Sequence, residues 1–226
     1  MTHETVEKVL AALGFDHNDL TDPSAYKTEY DLAKKALDTL ETISKDKVLY
    51  KVFDLNNKEH NQFIQEKILV GKSIKRFLGA PTQLILCATT LGSQVDSLIR
   101  KEGIMSISSA VLIDTAAMVF IEEHLDLWME RIAQTDPFKG YYLSPRYSPG
   151  YGDMPLSMQK DILQELQCQK QIGLTVSDSG ILLPKKSVTA VIGVYDTPFE
   201  TTYSNCDSCL IRNRCKKRER GDYCGY

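Results

Sequence analysis

The residues of this 226-residue chain whose types and spacing suit chemistry fall in two places. Near the C-terminus four cysteines are spaced Cys206-x2-Cys209-x5-Cys215-x8-Cys224. A Cys-x2-Cys pair can bite one ion or cluster from a single tight turn, and two more thiolates complete a four-sulfur set for zinc or an iron–sulfur cluster. Six bases, Arg212, Arg214, Lys216, Lys217, Arg218 and Arg220, stand among them against the acids Asp207, Glu219 and Asp222. That positive field favours thiolates and an anionic cluster, and four cysteines within 19 residues favour a metal or cluster over a disulfide or a reduced tail. The second place is the stretch 146–157, RYSPGYGDMPLS. Pro149-Gly150 signals a tight turn in which Gly150 can take a positive φ, and such a turn leaves backbone groups open to a ligand. Arg146 offers a forked cation suited to a carboxylate, and Tyr147 and Tyr151 offer ring faces and hydroxyls. By residue type alone the same stretch also reads as an ordinary surface loop.

The rest of the chain must position these groups. Its charged fraction of 25% and apolar fraction of 42% are those of an ordinary globular domain, which excludes collagen and global disorder. The net charge of −3 argues against a general nucleic-acid binder. Residues 206–226 carry +3 and the remainder −6, so charge and cysteine content divide the chain into a body, 1–200, and a basic Cys-rich tail, 201–226. Cys87 and Cys168 lie among apolar neighbours and read as small core residues. The opening MTHETVEKVL has no basic region followed by an apolar run, so no signal peptide is expected. The most apolar stretch, 108–121, is interrupted by Asp114 and closed by Glu122 and Glu123. A membrane span needs about 20 apolar residues, so this stretch reads as a buried helix, and a cytoplasmic protein with no membrane partner is expected.

Apolar spacing predicts helices over 4–13, 27–44, 71–78, 104–134 and from Ser157, as N-cap, to about 169, with 59–69 ambiguous. Asp22-Pro23-Ser24 marks a loop. β-Branched and aromatic types predict a strand at 47–54, and 83–89, 172–176 and 188–195 also read as strands, the first of these buried, with Thr89 or Thr90 capping a helix after it. Strands separated by long helices give an α+β or mixed α/β body.

The 146–157 loop, the helix DILQELQ and the segment 172–194 together resemble the reactivation domain of cobalamin-dependent methionine synthase. The matching positions are Arg146, Pro149, Gly150, Tyr151, Ile172, Gly173, Ser179, Pro184 and Ser187. The resemblance implies an α+β fold: a twisted, mainly antiparallel β-sheet flanked by long helices, with the small Cys-rich tail appended. It further implies an S-adenosylmethionine site at 146–155. There Arg146 would pair with the methionyl carboxylate, with Ser148, Pro149, Gly150 and Tyr151 as neighbouring contacts. The family restores stalled cob(II)alamin to methylcobalamin with one electron and a methyl group. It does so chiefly by proximity, so no catalytic acid or base is named.

This chain has no Asp-x-His-x-x-Gly cobalamin motif around His3, His17, His60 or His124. The resemblance therefore implies a stand-alone reactivator acting on a separate corrinoid protein or a methionine synthase core. Family members also place an acid near the amino group of S-adenosylmethionine. Glu122, Glu123, Asp114 and Asp153 are the candidates here, each otherwise an ordinary solvated carboxylate. The Cys-x2-Cys-x5-Cys core is similar to auxiliary 4Fe–4S segments of some S-adenosylmethionine enzymes. A 4Fe–4S cluster that relays an electron is thus expected in the tail, with zinc as the alternative and a flavodoxin or ferredoxin as a possible donor. A corrinoid-docking module with a structural zinc tail is the competing function.

Overall fold

The computed structural model describes residues 2–15, 26–45, 47–200 and 212–215. Four strands form one fully antiparallel sheet in the order β1-β2-β6-β3: β1 (Leu49–Asp54), β2 (Gln83–Thr90), β3 (Tyr142–Leu143) and β6 (Ser187–Tyr195). The pairing β2–β6 runs from Gln83↔Val194 to Thr90↔Ser187, and β1 lies on the other side of β2 from Leu49↔Ala88 to Asp54↔Gln83. β4 (Thr175–Val176) and β5 (Leu182–Leu183) make a separate hairpin. The helices are α1 (His3–Ala12), α2 (Lys27–Ile43), α3 (Lys58–Phe63), α4 (Lys72–Leu78), α5 (Ser93–Met105), α6 (Ile107–Ala133), α7 (Met158–Glu165) and α8 (Cys168–Ile172). This is the α+β architecture with an antiparallel sheet and long helices expected from the sequence.

β2 and β6 are buried on both faces, which explains their near-continuous apolar runs. One face, with Leu84, Leu86, Ala88 and Val191, packs on Ile74 and Phe77 of α4 and on Ile162 of α7. The other, with Ile85, Cys87, Ala190, Ile192 and Val194, packs on Leu125, Trp128 and Ile132 at the C-terminal end of α6. The N-terminal half of α6 instead packs through Ile113, Ala116, Ala117 and Phe120 against α1, α2 and Val95 of α5. At 27 residues, α6 is about 40 Å long and joins the helical end of the body to the sheet. Among the described residues no helix is long and apolar enough to cross a membrane.

Several local expectations change. The helical pattern of 104–134 is two helices, because Ser106 takes an extended conformation and caps α6, its hydroxyl accepting from the Ser109 amide at 3.3 Å. The pattern from Ser157 to 169 also divides, at Gln167, whose left-handed φ of 50° ends one helix and starts the next. Ser157 precedes α7 with helical backbone and no side-chain cap bond. Gly92, rather than a threonine, sits at the N-cap of α5, although the Thr90 hydroxyl accepts from the Gly92 amide at 3.1 Å. The strand expected at 172–176 is confined to Thr175–Val176, because Ile172 still closes α8 and Gly173 turns the chain with φ of 70°. The ambiguous 59–69 becomes α3 followed by a π-helical turn, Ile64–Ile68. Cys87 and Cys168 are core residues as read, and burial pushes both thiols up to about 12. The Asp22-Pro23-Ser24 loop lies outside the described residues.

Candidate functional site

The segment after β3 continues along the free side of β6. Ser144 donates to the Gly193 carbonyl at 2.9 Å, and Tyr147 and Val191 exchange two backbone bonds at 2.9 and 2.8 Å. Pro145 has no amide to give, so the pairing is interrupted rather than a continuous strand. Extended backbone sends successive side chains to opposite faces. Tyr147 therefore enters the core on the α4 face, its ring centre 5.1 Å from that of Phe77. Arg146 goes to the other face, under α6.

There its guanidinium meets a row of acids. Nη1 donates to Asp126 Oδ1 at 2.6 Å and Nη2 to Glu122 Oε2 at 2.7 Å, with the Met129 sulfur 3.4 Å from Nη1. The Arg146 side chain is only 14% exposed, whereas Glu122 and Asp126 are 50% and 63% exposed. Burial works against the charge on Arg146, but the carboxylates of Asp126 and Glu122 outweigh it and raise its pKa. Glu122, Asp126 and Glu130 recur every fourth residue on α6, which puts them along one face.

Arg146, these acids, Met129, Pro145, Ser148, Tyr151 and Val188 line an open cavity of about 550 Å³. That is within the size range of small-molecule sites, roughly 300–1,000 Å³. The lining combines a forked cation, three carboxylates and an aromatic ring, which suits a zwitterion with a ring system.

The structure thus brings Arg146, Ser148 and Tyr151 of the expected site to one cavity. Pro149 is buried and Gly150 takes a φ of 96° in the turn, but neither lines it. Of the four candidate acids, Glu122 is in the cavity and paired with Arg146, so it is not simply solvated. Glu123 instead accepts from Thr5 at 2.6 Å and pairs with Lys8 at 3.1 Å, and Asp114 pairs with Lys186 at 3.0 Å. Asp153 lies at the far end of the loop and accepts from two backbone amides of α4. Sequence reading missed Asp126 and Glu130; their four-residue spacing from Glu122 on a helix was the available signal. Cys206, Cys209 and Cys224 lie outside the described residues, while Cys215 is partly exposed and bonded to no other cysteine among the described residues. Among the described residues no group of three metal-ligating side chains is assembled.

The fold and cavity define an α+β domain with an acid-and-arginine pocket between a long helix and a sheet-edge loop. No protein-family model matches the sequence, and no curated protein matches it. Among solved structures, the chain is similar to the crystal structure of the MetH reactivation domain bound to AdoHcy, with a TM-score of 0.59. The two are 15% identical, and the match covers 99% of this chain and 85% of the other. At that identity the likeness is one of fold.

Proposed function

We propose that this chain reactivates a cobalamin-dependent methyltransferase, using S-adenosylmethionine as methyl donor. The observation that carries this reading is the cavity of about 550 Å³ between Arg146 and the acids of α6, on the fold of a reactivation domain bound to AdoHcy. The residues fit the ligand. S-adenosylmethionine carries one carboxylate, an ammonium and a sulfonium, and the cavity offers one guanidinium and three carboxylates. Arg146 takes the ligand carboxylate, Glu122, Asp126 and Glu130 face its cationic groups, and Tyr151 and Ser148 bound the space left for the nucleoside. The work of these residues is to hold the methyl group in line with its acceptor, which is catalysis by orientation.

The partner is the cobalamin-binding module of methionine synthase or a related corrinoid protein. Cobalamin there supplies the methyl acceptor: cob(II)alamin, one electron and S-adenosylmethionine give methylcobalamin and S-adenosylhomocysteine. In this reading residues 1–200 form the methyl-donor domain. In the tail, 201–226, Cys206, Cys209, Cys215 and Cys224 would hold a 4Fe–4S cluster able to pass on an electron from a flavodoxin or ferredoxin, with zinc as the alternative.

A second reading, a corrinoid-docking module with a structural zinc tail, draws support from one observation: Arg146 is already paired with both Glu122 and Asp126. Titration calorimetry with S-adenosylmethionine and S-adenosylhomocysteine separates the two. Saturable binding that weakens about 100-fold in Arg146→Ala supports the reactivator, and no saturation of the wild type at millimolar ligand removes it. Iron and sulfide content of anaerobically purified protein tests the tail; one zinc per chain would move the electron source to the partner.

A further inference from the structure

The loop that carries Arg146, Ser148 and Tyr151 is fastened at its far end by contacts the cavity does not contain. The Asp153 carboxylate accepts from the backbone amides of Lys72 and Ser73, both at 2.8 Å. These bonds hold its acid strength above that of an ordinary aspartate, with the Ser73 amide the larger influence and the Lys72 amide next. The approach is too close for side chains on either backbone. Gly71 has a φ of 112°, and a Cβ there would lie 2.6 Å from Asp153 Oδ1. Gly152 has a φ of 52°, and a Cβ there would lie 2.6 Å from the Ser73 side chain and 2.7 Å from the Tyr147 hydroxyl oxygen. Two glycines in left-handed backbone thus let the loop and the start of α4 interlock.

The loop behind this contact is stiff. Gly150 donates to the Met154 carbonyl at 2.9 Å, Met154 to Tyr151 at 3.0 Å and Tyr151 to Ser148 at 3.1 Å. Met154 is buried, and Tyr147 packs between Phe77 of α4 and Tyr151, with ring centres 5.1 and 5.8 Å away. Movement at Asp153 therefore reaches Tyr151, on the cavity wall, through bonded and packed groups.

We propose that Asp153 is a positioning residue that holds the 146–153 loop in its ligand-ready form before any ligand arrives. The inference rests on the reading of the cavity as an S-adenosylmethionine site, but the clamp itself can be measured without ligand. Such preorganisation removes the cost of ordering a loop from the binding step.

The test compares the full chain with Asp153→Ala and Asp153→Asn, by amide hydrogen exchange without ligand and by calorimetry with S-adenosylhomocysteine. The alanine variant should accelerate exchange at Lys72, Ser73 and residues 148–154 and weaken S-adenosylhomocysteine about ten-fold, the scale of a lost cap. Asparagine keeps one acceptor oxygen and should fall between alanine and wild type in both measurements, and faster exchange confined to Lys72, Ser73 and 148–154 separates the clamp from a general loss of stability, which would raise exchange across the core as well. Unchanged exchange over 148–154 in the alanine variant overturns the clamp. Accelerated exchange with unchanged affinity overturns its role in positioning. If the wild type binds no S-adenosylhomocysteine, the ligand assignment fails, and the exchange data still decide the clamp. If the alanine variant does not fold, the asparagine variant serves both measurements by the same criteria.

Discussion

The two ends of one loop are held by carboxylates in opposite ways. At the Arg146 end the carboxylates come from α6, are half exposed, and meet a cationic side chain that the proposed ligand would also engage. At the Asp153 end the carboxylate comes from the loop itself and meets backbone amides that no ligand displaces. In the proposed reading the first contact exchanges partners and the second fixes a frame. A binding site needs both, because a cation able to change partners is useful only if its position is set elsewhere.

The largest effect on this contrast should come from removing the packing beneath both ends. Phe77 is 1% exposed and carries Tyr147, so Phe77→Ala should lower stability by about 3–5 kcal/mol in urea unfolding. Arg146→Ala should act on binding instead. The affinity for S-adenosylmethionine should fall about 100-fold, as for a lost charge-assisted fork. Melting should shift less than for Phe77→Ala, because the carboxylates left behind are half exposed and rehydrate, and only the packing of the arginine stem is lost. If melting fell as far as for Phe77→Ala, the exchangeable end would be structural and the contrast lost. Gly152→Ala should cost about 2 kcal/mol, from left-handed backbone and the close Ser73 contact, and should weaken ligand in proportion to loop exchange.

The smallest effect is acid dependence. Asp153 is more acidic in the folded chain than in the unfolded one, so the unfolded chain binds its proton first as the pH falls. Its contribution is complete above about pH 3.9 and is lost on further acidification through the lower folded value. Acid titration of stability should show the advantage of wild type over Asp153→Asn shrinking only below that point. An advantage that shrinks between pH 7 and 5 would mean that another group sets it.

The three long strands were legible because segments of six to nine residues mixing β-branched, aromatic and other apolar types are hard to place elsewhere. The break at Ser106 was not, because periodicity carries across a capped junction when the helices on both sides bury apolar residues. In the candidate site Arg146 was legible from its neighbours Pro149 and Gly150. Asp126 and Glu130 were hidden among other acids of a charged helix face, and only the packing of α6 over the sheet edge picks them out. The role of Asp153 depends on an approach to residues 80 positions earlier, which local sequence does not encode.

The strand order sets how this chain reaches its fold. β2 pairs with β6, whose partner residues lie about a hundred positions later in sequence. During synthesis β2 therefore leaves the ribosome long before its central neighbour exists, with one edge beside β1 and the other open. An apolar strand with an open edge is a template for pairing with other chains, and sheets closed by distant segments form slowly. Pairing of β2 with β6 is thus the contact that closes the sheet last in chain order.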